Sequence, residues 1–98
     1  MNPKIKTSEV DALFDAVLCL ETREECYRLF EDMCTIKELL AIAQRFQVAR
    51  LLTEGRTYLD ICEETGASTA TISRVNRSLS YGEDGYQLVL DRMKEKDA

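Results

Sequence analysis

The chain has 98 residues, of which 45% are apolar and 32% charged, with four Gly and one Pro. That length serves a single hydrophobic core, which excludes a large multidomain enzyme, and the composition is that of a folded helical domain rather than a disordered or fibrous chain. The net charge is −5, yet residues 9–32 hold eight acids and two arginines while residues 65–82 hold Arg74 and Arg77 and no acid, so the charge is segregated along the chain.

The longest apolar runs, Ala16–Leu20 and Leu39–Ala43, are five residues each, far short of the roughly 20 that cross a bilayer. Lys4 and Lys6 are followed by polar and acidic residues where a secretion signal needs an apolar stretch. The expected location is the cytoplasm, with no membrane partner. Cys19, Cys26, Cys34 and Cys62 form no CxxC pair and there is no His, so neither a metal site nor a redox motif is supported and the four read as small buried thiols.

Helix starts are marked by Ser, Thr or Asp followed three residues later by an acid or amide, the reciprocal capping arrangement. Five such pairs occur: Ser8 with Asp11, Thr22 with Glu25, Thr35 with Glu38, Thr57 with Asp60, and Asp84 with Gln87. Apolar residues at helical spacing follow them. The first helix presents Val10, Leu13, Phe14, Val17 and Leu20, and the second Cys26, Leu29, Phe30 and Met33. The third, from about Ile36 to Thr53, is apolar around most of its circumference and stops before Gly55 as a left-handed residue. A helix apolar on several faces needs cover from more than one neighbour. A partner chain is the economical source, and a helix wrapped by its own domain is the alternative. A last helix, about Gly85 to Lys94, places Tyr86, Val89, Leu90 and Met93 on one side. No strand pattern is present.

Residues 57–79, TYLDICEETGASTATISRVNRSL, carry the chemistry. Two short helices separated by Thr65, Gly66 and Ala67 fit a helix-turn-helix, whose tight turn commonly uses glycine. Leu59, Ile61, Cys62, Ala67, Ile72 and Val75 are apolar or small, as inward positions require. The second helix is then left with Ser68, Thr69, Ala70, Thr71, Ser73, Arg74 and Arg77 as a DNA-facing surface. Small residues allow entry to the major groove, hydroxyls bond phosphate or base edges, and Arg bonds guanine bidentately. Ser68 is expected to cap the helix with its own hydroxyl.

The run GASTATISRVNRSL closely resembles the recognition segment of the Trp repressor family, particularly its YerC/YecD Trp-repressor-like branch. The acidic amphipathic N-terminus, TIKELLAIAQRFQVARLL and the terminal helix match in order, so the resemblance covers about residues 10–93. It implies an all-α fold of about six helices in one domain spanning residues 1–98. It also implies an intertwined homodimer that binds double-stranded DNA and regulates transcription, as a repressor. By the same resemblance, Arg45 and Arg74 correspond to two arginines flanking an indole, with Thr35 and Thr71 at matching pocket positions. Val75, however, stands beside Arg74 where the Trp repressor has glycine, and its branched side chain is expected to occupy space near the ligand. Tryptophan is therefore not expected, another effector is left open, and Arg45 reads as a solvated or ion-paired arginine on a long helix in preference to a ligand contact.

An enzyme is disfavoured, because no Ser-His or Cys-His pair, glycine-rich phosphate loop or metal spacing occurs. Acid pairs such as Glu63–Glu64 read as solvated helix faces, and no cofactor is implied. The other alternative is a protein-interaction module on a helix-turn-helix scaffold. Such a face would expose apolar or aromatic anchors, whereas Thr69, Ser73, Arg74 and Arg77 are polar, and Tyr58 and Tyr81 are expected to pack or hydrogen-bond locally.

Overall fold

A computed structural model describes residues 1–97 as six helices in chain order: α1 (Ser8–Val17), α2 (Arg23–Met33), α3 (Ile36–Thr53), α4 (Tyr58–Thr65), α5 (Thr69–Tyr81) and α6 (Gly85–Asp97). No strand occurs among the described residues. None of these helices is long and apolar enough to cross a membrane.

Three of the five expected capping residues, Thr22, Thr35 and Thr57, act as caps, and only one pair closes the full reciprocal box. Thr35 and Glu38 form the full reciprocal box: the Glu38 N–H donates to Thr35 Oγ1 at 3.1 Å, and the Thr35 N–H donates to Glu38 Oε1 at 2.9 Å. That bond, followed by one with the Thr35 side chain, holds the Glu38 carboxyl below its ordinary pKa. At α2, Thr22 accepts from the Glu25 N–H, but the Glu25 carboxylate reaches back one residue further, to the Glu21 N–H at 2.9 Å. At α4, Thr57 accepts from the Asp60 N–H, while the Asp60 carboxylate pairs with Arg56 instead of returning the bond. α1 is capped by Thr7, which accepts from the Val10 N–H, so Ser8 is the first helical residue rather than the cap. The Asp84–Gln87 box does not form. Asp84 has φ 60°, and the Gln87 amide turns along the helix to Asp91 at 2.8 Å.

The chain divides into two compact units, Met1–Leu39 and residues 40 onward. In the first, Phe14 on α1, Leu18 just after it, and Tyr27 and Met33 on α2 stand in the open, and no residue is buried. The thiols of Cys19 and Cys26 are exposed, and Cys34 and Cys62 are half-buried, contrary to the expectation of four buried thiols. The reason is local: Cys19 follows α1 in a turn and donates to Asp15 O, and Cys26 belongs to a helix with no buried face.

The second unit holds the core. Val48, Ala49 and Leu51 of α3, Ile61 of α4, Ala67 of the turn, and Ile72 and Val75 of α5 form one buried cluster, with Leu52, Cys62, Leu79 and Tyr86 packed against it. Leu90 of α6 is also buried, and the Phe46 and Tyr86 rings lie 6.4 Å apart between centroids. α3 ends as its sequence demands. Gly55 has φ 81°, its N–H donates to Leu52 O, and the Arg56 N–H donates to Leu51 O, satisfying the last carbonyls. Only the C-terminal half of α3 is buried. Ile36 is 81% exposed, and Leu40 and Ile42 are also open, so the surplus apolar surface expected of this helix is present. α6 runs three residues beyond Lys94, to Asp97.

Candidate nucleic-acid interface

The turn between α4 and α5 is built from side-chain and backbone bonds that leave it little freedom. Gly66 ends α4 in the left-handed conformation, φ 73° and ψ 6°, with its N–H donating to Cys62 O. A residue with a Cβ is strained there by steric approach to its own carbonyl. The Thr65 hydroxyl donates to Ile61 O at 2.7 Å and accepts from the Ala67 N–H at 3.1 Å. Gln44 of α3 donates from Nε2 to Thr65 O at 3.2 Å. This glutamine ties the turn to the supporting helix, a role that periodicity along α3 gives no means of finding.

α5 starts at Ser68, whose Oγ accepts from the Thr71 N–H and donates to Thr71 Oγ1 at 3.1 Å. Both hydroxyls are thereby engaged with the helix itself, as expected for Ser68. Ile72 and Val75, 0% and 2% exposed, and the half-buried Leu79 form the back of α5. Helical rotation of roughly 100° per residue then turns Ala70, Ser73, Arg74 and Arg77 outward, and all four are exposed, as are Ser68 and Thr69. Thr71 is half-buried. Neither Arg74 nor Arg77 has an acidic partner among the described residues. Arg56, by contrast, is held by Asp60 at 3.8 Å and Glu64 at 3.1 Å on α4, so its charge is locally satisfied.

Of the proposed inward positions, Ile61, Ala67, Ile72 and Val75 are buried and Cys62 is half-buried, but Leu59 is 68% exposed. Leu59 lies two residues from Ile61, about 200° around the helix, so both cannot face the core. Tyr81 also departs from expectation: it is 87% exposed rather than packed.

Arg45, Thr71 and Arg74 meet, with Ala41 and Gln44, around a cleft of about 270 Å³. Arg45 is half-buried and donates from Nε to Ala41 O at 3.4 Å. Thr35 does not line this cleft, and its hydroxyl caps α3. Val75 does not line it either. Its side chain packs into the core, so it anchors α5 as expected but does not fill the space beside Arg74.

Six helices, a tight glycine turn and a following helix backed by a buried stripe define an all-helical helix-turn-helix protein. Residues 8–94 match the model of the Trp repressor protein family. The chain is 56% identical over 94 residues, covering 96% of its own length and 90% of the relative, to the uncharacterized protein YerC of Bacillus subtilis (strain 168). A TrpR-like protein from Eubacterium eligens ATCC 27750 superposes with a TM-score of 0.92 at 60% identity, over 95% of this chain and 96% of that one. A candidate Trp repressor from Staphylococcus aureus superposes with a TM-score of 0.91 at 53% identity, over 94% and 92% respectively. The chain belongs to the Trp repressor family.

Proposed function

We propose that the protein is a sequence-specific DNA-binding repressor of transcription that acts in the cytoplasm as a homodimer, with Ser68, Thr69, Ala70, Thr71, Ser73, Arg74 and Arg77 at the DNA. One observation carries the reading. The outer face of α5 exposes two arginines without acidic partners among the described residues, while Ile72 and Val75 hold its inner face in the core. Residues 65–82 carry no acid, so the face that Arg74 and Arg77 occupy is locally positive although the chain as a whole is acidic. A phosphate backbone is the polyanion such a face complements.

The homodimer is supported by the first unit, where 39 residues form two helices and the start of a third without burying a side chain. A unit of that size has too little core to hold itself. Ile36, Leu40 and Ile42 on α3, with Phe14 and Leu18 on and after α1, offer the apolar surface that a second copy would cover. In this reading residues 1–98 form a single domain completed by the partner.

Fluorescence anisotropy on duplexes selected from a random pool, set against unselected duplexes, tests the proposal. The bound sequence should be near-palindromic, with half-sites about one helical turn, roughly 34 Å, apart. Few cations face the duplex, so log affinity should fall only moderately with log salt, by about 0.9 per phosphate contacted. Arg74→Ala should weaken binding or reduce discrimination; no change in either removes Arg74 from the reading face. Light scattering that finds only monomer at micromolar concentration removes the dimer.

The exposed Leu59 and Tyr81 favour a second reading, a protein-docking module, because such modules display apolar and aromatic anchors. Failure of any duplex to be enriched from the pool would favour it over DNA binding.

A further inference from the structure

We propose that Tyr81 is a DNA-backbone contact, its phenolic hydroxyl donating to a phosphate oxygen beside the groove that the start of α5 enters; this rests on the DNA-binding reading above. Tyr81 is the last residue of α5. It follows Ala70, Arg74 and Arg77 at spacings of four, three and four residues, which in a helix is one straight stripe. The opposite stripe, Ile72, Val75 and Leu79, is packed against the core, so the direction of the outward stripe is fixed.

Nothing turns the chain back over Tyr81. Gly82 follows with its N–H donating to Ser78 O at 2.9 Å, and a Cβ at that position would collide with the Ser78 carbonyl. Only glycine lets the chain leave the helix so closely. The phenol stands 87% exposed, the most open of the large apolar and aromatic side chains.

Length assigns its role. From Ala70 to Tyr81 the stripe rises about 16 Å at 1.5 Å per residue, more than the major groove's width of about 12 Å. With the Ala70 end in the groove, the Tyr81 end lies outside it, against the sugar-phosphate backbone. A tyrosine hydroxyl there positions the protein and carries no base information. The acid-free segment ends at Gly82, with Glu83 and Asp84 next, so Tyr81 marks the last point at which the stripe can approach phosphate without meeting its own acids.

The test is Tyr81→Phe, which keeps the ring and removes only the donor, measured by anisotropy over a salt series on a selected and an unselected duplex. A hydrogen bond to a charged group is worth about tenfold or more in affinity for each of two copies, so binding should weaken by roughly a hundredfold per dimer. The loss should be equal on both duplexes, with the ratio between them and the salt slope unchanged, because the lost group is neutral and reads no base. Arg77→Ala, run alongside, should lower the slope by about 0.9 for each phosphate contact removed. Unchanged affinity of Tyr81→Phe, or a loss confined to the selected duplex, overturns the proposal while leaving DNA binding intact. A fall in dimer mass by light scattering also overturns it, assigning the phenol to a contact between chains. Failure of the wild-type chain to bind any enriched duplex overturns the DNA-binding reading and Tyr81's role with it.

Discussion

Ile72→Ala and Leu59→Ala, both apolar truncations within the helix-turn-helix, should have opposite outcomes. Ile72 is 0% exposed and belongs to the cluster of Val48, Ala49, Leu51, Ile61, Ala67 and Val75. Its truncation removes three carbons, about 2.4 kcal/mol of transfer free energy at roughly 0.8 per carbon. The cavity left between α3, α4 and α5 adds to this, giving a total within the usual range of about 2–5 kcal/mol. The unit has few other buried side chains to absorb the change. Leu59, 68% exposed, should cost no more than about 0.5 kcal/mol. Urea denaturation at one fixed protein concentration, needed if the chain dimerises, should show the midpoint of Ile72→Ala lowered by about 1–3 M for a slope of about 1–3 kcal/mol per M. Leu59→Ala should be nearly superimposable on wild type. Equal losses for the two variants would refute the assignment of Ile72 to the core and Leu59 to the surface.

Other consequences can be checked independently. Gly66→Ala should destabilise by about 1–2 kcal/mol, read by the same denaturation; no atom lies within 4 Å of the added Cβ, so the cost is that of a left-handed backbone with a side chain. The Glu38 carboxyl, held below its ordinary pKa by the Thr35 N–H, contributes to the start of α3 above its unfolded pKa and loses that contribution as pH falls through the lower folded value. Hydrogen-exchange protection at the Thr35 and Glu38 amides should therefore drop in that acidic window in wild type, and Glu38→Gln should show no such step. Calorimetric titration with tryptophan should give no saturable binding at micromolar concentration, because the cleft lined by Ala41, Gln44, Arg45, Thr71 and Arg74 lacks the apolar and aromatic walls that hold such a ligand; a saturable micromolar isotherm refutes this.

The local chemistry of the sequence determined the six helices, the Gly55 and Gly66 stops and the Ser68 cap. Each depends on residues within about four positions of one another, where steric and hydrogen-bonding preferences act without help from the rest of the chain. Tertiary structure decided the rest. Leu59 and Ile61 are both apolar, and only the packing of α4 on α3 and α5 selects which one is covered. Val75 has one side chain and two candidate destinations, the cleft beside Arg74 or the core, and the rotation of α5 sends it to the core. Gln44 reaches Thr65 across 21 residues, and Tyr81 is left open because Gly82 carries the chain away from it. Such choices arise from long-range packing, in which many side chains compete for one enclosed volume, and no periodicity along the chain records which of them wins.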